Sequence, residues 1–428
     1  MKVLVVGNGS REHAICLKLS QSTRVSQLLC APGNPGIAKC AKLLPLGVTE
    51  VEKLVEAAQR EGVELVVVGP EVALAAGVVD AFRRVGILAA GPTAAAAQLE
   101  SSKTYAKQVM DVAKVPTAAY HLFTAEAPLR EHCRKVGAPL VLKSDGLASG
   151  KGVFVITEES QFEPAFAQLF GPLKAEKIVA EEFLDGVEVS CIFATNGEEV
   201  IPLPPAHDYK RLQDNDVGPN TGGMGSVCPS PRINEEELAW VKEAIAQPMV
   251  NTMKAQGVPF TGFLYAGLMV PTRKSNQSQS EWLAGVRVLE FNARLGDPEC
   301  QALLVRLSSD LVNLCEWIAG KIAEPPSLTW KSEVSTCVVI ASDGYPEDVV
   351  AGDTIEGIEH TALVPGCAVF YASTKVNDAG KLVSGGGRTL SVVGLGSDYD
   401  EARRIAYKGV DLIQLRGRRV RRDIGAHE

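Results

Sequence analysis

The chain has 428 residues, a formal net charge of -8, and 46% hydrophobic and 22% charged residues; this exceeds one simple core and predicts a soluble globular protein of two to four domains. The acidic balance argues against nucleic acid as the main partner. Ten scattered cysteines without CxxC or His-paired spacing argue against structural zinc and a redox motif, and no apolar run approaches the roughly 18 residues of a membrane span.

Residues 1–100 alternate strand and helix. Apolar strands fall at 2–6, 25–31, 63–68 and 86–90, with helices at 11–21 and around Val51, Leu54, Val55 and Ala58. The pattern predicts a doubly wound parallel sheet. Carboxyl ends of its strands face one crevice, so the loops at 7–11, 32–36 and 69–71 should gather there. The first, Gly7-Asn8-Gly9-Ser10-Arg11-Glu12-His13, opens a helix whose N-terminus favours a phosphate, with Arg11 placed to add a charge-assisted contact. It departs from a dinucleotide fingerprint: Glu12 holds the third glycine position, and Leu28 to Cys30 offer no acidic residue for a ribose. A smaller phosphate ester fits better; a tight turn without ligand is the alternative.

From Thr93 a long helix should run through Ala113, closed by Pro116. Short strands at 139–144, 152–157, 177–183 and 187–194 predict an antiparallel α+β module. Lys143-Ser144-Asp145-Gly146-Leu147-Ala148-Ser149-Gly150-Lys151-Gly152-Val153 lacks the Gly-Lys-Ser/Thr of a Walker A loop. A glycine loop between antiparallel strands, carrying two lysines, suits a flap that closes over phosphates and excludes water. Glu181 to Glu188 cross from one strand to the next and could offer backbone groups to a purine and a carboxylate to a ribose, although acidic turns are commonly just solvated.

Residues 202–231 form a long loop, a feature that is usually functional or disordered. Within it, Gly222-Gly223-Met224-Gly225 can make an anion-binding nest of backbone N–H groups. A helix at 234–256 and strands at 260–271 and 282–292 follow, the strands linked by the polar run 272–280, which reads as a mobile hairpin tip. The second strand is the most informative stretch: Val286-Arg287-Val288-Leu289-Glu290-Phe291-Asn292-Ala293-Arg294. Side chains alternate along a strand, so Glu290, Asn292 and Arg294 share one face and Leu289, Phe291 and Ala293 the other. Polar groups in a core strand need partners. Two oxygen ligands beside a cation suit a magnesium ion bridging phosphates, with Arg294 neutralising an anionic substrate. An edge strand with a solvated polar face is the alternative.

A last unit has strands at 335–341, 368–371 and 389–393 and a helix at 399–413. The Arg-rich end at 416–422 reads as a solvated terminal element. The six histidines show no ligand spacing and read as structural or solvated, except His207 beside Asp208 in the long loop. Reduced thiols and a first strand with no cleavable leader before it point to the cytoplasm.

In order, Gly7-Asn8-Gly9, Ala31-Pro32-Gly33-Asn34, Gly69-Pro70-Glu71, Gly91-Pro92-Thr93, Gly146-Leu147-Ala148, Glu181-Glu182-Phe183-Leu184-Asp185-Gly186, Gly218-Pro219-Asn220-Thr221-Gly222-Gly223-Met224-Gly225, Leu264-Tyr265-Ala266-Gly267, Glu290-Phe291-Asn292-Ala293-Arg294 and Gly296-Asp297-Pro298-Glu299 resemble the phosphoribosylamine–glycine ligases of the ATP-grasp superfamily. The resemblance runs to Arg421-Arg422-Asp423-Ile424-Gly425, and the 218–225 segment is its most specific part. It implies an α/β and α+β multidomain fold: an N-terminal doubly wound parallel α/β domain (1–100), an ATP-grasp domain pair (101–194, with a lid at about 121–190, and 195–325) and a C-terminal β-rich domain (326–428).

The resemblance also implies roles. Glu290 and Asn292 would ligate magnesium or manganese. Lys103, Lys143 and the loop through Gly150, Lys151 and Gly152 would grip the ATP phosphates. Glu181, Glu182, Phe183 and Leu184 would line adenine, and Glu188 would take the ribose. Arg294, Asp208, Asn220, Thr221, Gly222, Gly223 and Gly225 would surround glycine and an acyl phosphate, with Arg294, Asp208 and Lys143 as catalytic groups. Asn8, Gly9 and Arg11 would hold the phosphoribosyl phosphate, helped by Asn34 and Glu71. The implied partners are ATP, glycine and 5-phosphoribosylamine, with no nucleic acid and no membrane, and the chain would be a monomer or weak dimer. Ser144, Ser149, His207, Tyr209 and Leu295 depart from the usual residues, and the 272–281 linker is longer than usual. Another ATP-grasp ligase should lack the 218–225 segment. A nucleotide-sensing module without turnover would not need Glu290, Asn292 and Lys143 together.

Overall fold

Val3 to Val6 and Leu65–Val68 are unbroken apolar runs buried on both faces, as the interior of a parallel sheet requires. In the computed structural model, which describes residues 1–147 and 152–426, strands β1 (Lys2–Gly7), β2 (Gln27–Pro32), β3 (Lys42–Leu43), β4 (Leu65–Val68) and β5 (Leu88–Ala90) form a parallel sheet in the order β3-β2-β1-β4-β5. Chain order switches at β1, where a doubly wound sheet opens its crevice. The three expected loops meet there. Gly33 N–H donates to the Gly7 carbonyl at 3.1 Å and Asn34 Nδ2 to the Asn8 carbonyl at 2.9 Å.

The long helix expected from Thr93 is broken. Gln98–Ser101 and Lys103–Ala113 are separate helices, because Ser102 is extended (φ -137°, ψ 110°) and caps the second by accepting from Tyr105 N–H. Strands β6 (Tyr120–Phe123), β7 (Leu140–Ser144), β8 (Val153–Ile156) and β9 (Ile178–Glu182) form an antiparallel sheet, order β6-β9-β7-β8. Leu129, Leu140, Leu142, Ile156, Phe162, Phe166 and Leu169 give this lid its own small core. Gly150 and Lys151 of the flap between β7 and β8 lie outside the described residues.

The chain then makes β10 (Val187–Asn196) and β11 (Val200–Pro202), four short strands in the expected loop, β12 (His207–Asp208), β13 (Arg211–Gln213), β14 (Val217–Asn220) and β15 (Gly225–Cys228), and the long strands β16 (Thr261–Val270) and β17 (Arg287–Asn292). The second large sheet runs β11-β10-β16-β17. Its inner face shares one core with the first sheet, in which Cys191, Leu264, Val288 and Phe291 join Leu4, Leu29 and Val66. The helix at 234–256 is present with a π-helical stretch, Lys242–Ala246. It lies just before Pro248, which has no N–H to continue the i→i−4 ladder.

The strand expected from 282 starts only at Arg287. Ser278 and Glu281 form a capping box that opens the helix Gln279–Leu283. The polar linker is tethered rather than free. Arg273 pairs with the buried Glu237 and lies 4.1 Å from the Trp282 ring, whose Nε1 donates to the Pro271 carbonyl at 2.6 Å.

Strands β18 (Val334–Ala341), β19 (Cys367–Tyr371), β20 (Thr374–Val376), β21 (Leu382–Ser384) and β22 (Arg388–Gly396) complete the fold. β12 and β15 enter this last sheet, order β12-β15-β18-β22-β19. The long loop therefore belongs to two bodies at once. No helix among the described residues is long and apolar enough to cross a membrane.

Candidate active site at the end of the central sheets

Strict alternation does not hold along β17. Gly267 pairs with Glu290 and Leu268 with Val288, so Leu289 is an extra residue. The β-bulge places Val288 and Phe291 in the core while Glu290 and Asn292 keep the opposite face. Asn292 Nδ2 approaches Glu290 Oε1 at 3.5 Å, and Asn292 Oδ1 accepts from Arg294 Nη2 at 3.3 Å. The polar row expected from sequence is thus one contiguous group. The bulge also turns the Leu289 carbonyl to Lys143 Nζ, which donates to it at 3.0 Å.

Charges converge on this face. Burial raises the Glu290 carboxyl, but Lys210, Lys143 and Lys103 together hold it below the usual range. Lys210 pairs with Glu188 on β10 and lies 3.8 Å from Glu290. Gly267 on β16 sits between these carboxylates. A Cβ there would lie 3.4 Å from Glu290 Cγ and 3.6 Å from Glu188 Oε1. The glycine keeps the middle of the cradle clear. Among the described residues no three His, Cys, Asp or Glu side chains cluster as a metal cage. One carboxylate and one amide oxygen on a clear shelf, ringed by lysines, fit a hard cation that shares its coordination with phosphate oxygens.

Behind this shelf, the Glu181 carboxylate is buried between Lys143 (2.8 Å) and Lys107 (3.1 Å). Glu182 faces the other way and accepts from Ala119 N–H, as alternation demands. Phe183 is exposed and Leu184 half-buried in the crossing from β9 to β10. At the flap base, Lys103 Nζ donates to the Gly146 carbonyl at 3.0 Å. Asp145 accepts from Thr104 N–H and the Ser102 hydroxyl, both at 3.2 Å, so a carboxylate complements that helix N-terminus. Gly152 N-terminal to β8 closes the flap: its carbonyl accepts from Ser144 N–H at 2.8 Å.

Asp208 is only 8% exposed, and among the described residues its Oδ1 has no hydrogen-bond partner. Burial, then Glu299, raises its pKa well above the carboxylate range, against Lys210. Gly223 (φ +108°) lies against it: a Cβ there would meet Asp208 Oδ1 at 2.7 Å and Pro298 Cδ at 2.6 Å. The glycines of the expected nest serve close approach more than donation. Gly222 N–H donates to the Tyr345 hydroxyl and Gly223 N–H to Thr221 Oγ1, while Asn220 pairs with Arg211 and Gly225 with Val338.

Arg294 meets two helices of the N-terminal region, Glu71–Ala75 and Gln98–Ser101. Its Nη2 lies 2.7 Å from Glu100 and its Nε 3.3 Å from Glu71. In the first loop Asn8 is exposed, and Gly9 N–H donates to Glu12 Oε2 at 2.6 Å. The Glu12 side chain fills the space over Gly7 and Gly69, where any Cβ would collide with it. Glu12 therefore supplies the anion that a pyrophosphate would supply at a dinucleotide helix. Arg11 is buried and donates to Glu12 and the Leu295 carbonyl. Asn34 is fully engaged, donating to the Asn8 and Tyr371 carbonyls and accepting from Gly36 and Ile37. His13 Nδ1 accepts from Tyr371 N–H at 2.8 Å and is a structural histidine.

Sequence reading missed several groups here. Arg388 from the last sheet donates to the Gly222 and Asp297 carbonyls and lies 3.3 Å from Asp297 Oδ2. Glu100 also accepts from Ala293 N–H. Buried Glu299 accepts from Ser190 at 2.9 Å. Glu299 stood in a motif already quoted; Arg388 carried no local signal, because its partners are far away in the chain.

Comparison with known proteins identifies the family. Three family models match: phosphoribosylglycinamide synthetase N domain over residues 1–100, its ATP-grasp (A) domain over 101–300 and its C domain over 335–427. A phosphoribosylamine–glycine ligase of Streptomyces coelicolor is 45% identical, with 100% of this chain and 99% of the relative covered. The crystal structure of a Thermotoga maritima phosphoribosylamine–glycine ligase superposes with a TM-score of 0.83 at 32% identity, covering 99% and 100% of the two chains. A biotin carboxylase domain of Hydrogenobacter thermophilus, at 16% identity and a TM-score of 0.69 over 98% of this chain and 91% of that one, shares the fold alone. Matched along its whole length by these relatives, the chain belongs to the phosphoribosylamine–glycine ligase family, ATP-dependent carboxylate–amine ligases of the ATP-grasp fold.

Proposed function

We propose that this chain ligates glycine to 5-phosphoribosylamine through a glycyl phosphate, giving glycinamide ribonucleotide, ADP and phosphate. A glycine carboxylate oxygen takes the γ-phosphoryl group of ATP and the bond to ADP breaks. The amine of phosphoribosylamine then attacks the acyl carbon, loses a proton, and phosphate leaves. The observation that carries this reading is the joint presence of the β17 row and the 218–225 segment in a chain that matches family members over its full length.

Catalysis here is positioning and charge neutralisation, without a covalent enzyme nucleophile. A magnesium or manganese ion would be held by Glu290 and Asn292 and would neutralise charge on the phosphates. Lys143 and Lys103 face those phosphates, and the flap through Gly150, Lys151 and Gly152 excludes water from the acyl phosphate. Glu181 to Leu184 take adenine and Glu188 the ribose. The buried Asp208 oxygen, without a partner among the described residues, suits the glycine ammonium, and Arg294, with the turn from Asn220 through Gly225, faces the developing acyl phosphate. Asn8, Gly9 and Arg11 line the phosphoribosyl side, braced by Asn34 and Glu71. The enzyme acts in the cytoplasm as a monomer or weak dimer. The test is phosphate release with ATP, magnesium, glycine and freshly made phosphoribosylamine. We expect release to need both glycine and the amine; release independent of glycine would overturn the assignment.

A further inference from the structure

Lys107 has no place in the roles above, yet it is among the largest fully buried side chains. A buried ammonium is costly unless it is paired and hydrogen-bonded. Burial pushes the Lys107 ammonium down to about 8, opposed by Glu181. Its contacts are specific. Nζ lies 3.1 Å from Glu181 Oε1, donates to Thr117 Oγ1 at 2.7 Å and sits 5.1 Å from the Tyr120 ring centroid. The other Glu181 oxygen belongs to Lys143, at 2.8 Å.

Both ends of this chain of contacts terminate on the bulge of β17. Thr117 Oγ1 donates in turn to the Val288 carbonyl at 2.7 Å, and Lys143 donates to the Leu289 carbonyl at 3.0 Å. Val288 N–H in turn donates to the Pro116 carbonyl at 2.8 Å. The two consecutive carbonyls at the bulge are thus held from one network, and the bulge is what presents Glu290 and Asn292 to the shelf.

We propose that Lys107 is a positioning residue for the nucleotide and metal site, which it reaches through Glu181, Thr117 and the β17 bulge without touching substrate. Two ammonium groups share one carboxylate, so the trio carries one surplus positive charge. Without Lys107, Glu181 pairs one-to-one with Lys143, and the charge that Lys143 directs at the phosphates is cancelled. The proposal rests on the reading that Lys143 meets ATP and that Glu290 and Asn292 hold the metal.

The test compares Lys107→Met, Lys107→Arg and Thr117→Val with the unaltered enzyme in the phosphate-release assay, with thermal unfolding as a control. In Lys107→Met we expect KM for ATP to rise about 10-fold or more, the scale of one lost charge-assisted contact, with KM for glycine changed less than about 2-fold. Lys107→Arg should recover most of that loss. Thr117→Val should raise the magnesium concentration needed for half-maximal rate. If Lys107→Met is folded and leaves KM for ATP and the magnesium dependence unchanged, or lowers all parameters in proportion, the proposal fails. Should Lys107→Met not fold, Thr117→Val decides: a folded Thr117→Val with unchanged magnesium dependence overturns it. Glu290→Gln separates the premise from the inference. Turnover with undiminished magnesium dependence in that variant sinks the metal reading; its loss beside a normal Lys107→Met sinks only the role of Lys107.

Discussion

At Glu290 one carboxylate faces three lysines, and its hydrogen bond from Asn292 is a long 3.5 Å contact. At Asn34, every donor and acceptor of the side chain is used at 2.8–3.0 Å. Both residues are polar, both lie near the crevice, and both were legible as site candidates. The contrast separates two jobs. Surplus charge on a shelf cleared by Gly267 is prepared for something that has yet to arrive. A saturated amide between the first loop and Tyr371 is finished with its bonding and holds two bodies in register.

Four experiments break or sharpen this contrast. The largest effect should come from Glu290→Ala, which should lower glycine-dependent phosphate release by roughly 10²–10³-fold or more, the scale of one lost transition-state charge partner. Its unfolding midpoint should stay close to that of the unaltered chain; retained activity would place Glu290 with the scaffold. Asn34→Ala should do the reverse, costing about 2–4 kcal/mol of stability, as several buried groups lose partners. Denaturant unfolding measures this. A normal stability with a raised KM for phosphoribosylamine would move Asn34 to the substrate side.

His13 tests the seam by pH. Burial, then Lys39, lowers its pKa to about 4, below the unfolded value near 6.5. Between pH 6.5 and 4 the unfolded chain binds a proton that the folded chain does not, so stability falls as pH drops through that window. The loss should reach about 2–3 kcal/mol near pH 4. In His13→Asn, whose Oδ1 can replace Nδ1 as acceptor, unfolding midpoints between pH 7 and 4.5 should fall less steeply; an unchanged slope would show that other groups set the acid limit. The smallest effect belongs to Arg273→Ala on the linker. It should cost about 1 kcal/mol through the Glu237 pair and the Trp282 ring, with kcat and every KM unchanged. A kinetic change there would mean that the linker reaches the site.

Much of the molecule was legible locally. Alternating apolar runs marked the parallel sheet, because buried strands need β-branched residues on both faces and the helices between them need a 3.6-residue stripe. Glu290, Asn292 and Arg294 stood out for a related reason: a core strand tolerates such residues only where they have work. The helix break at Ser102 and the short helix at Gln279–Leu283 were also written locally, as caps, although the longer apolar patterns hid them.

The rest needed the fold. Alternation set Glu290 opposite Phe291, but that Val288 shares the core with Phe291 depends on the Leu289 bulge, and period-2 counting cannot register one extra residue. Gly267 matters only because Glu188 and Glu290 stand on either side of it. Glu12 explains the altered glycine loop only once Gly7 and Gly69 are seen packed against it. Arg388, Glu100 and Lys107 gain their meaning from partners far along the chain, as Glu100 with Ala293, 193 residues away, and Lys107 with Glu181 illustrate. Sequence by itself determined which strands and helices form and which residues bring unusual charge into the core. Tertiary structure decided which of those charges are already answered and which are left over, because pairing acts through space and is not written in neighbouring residues.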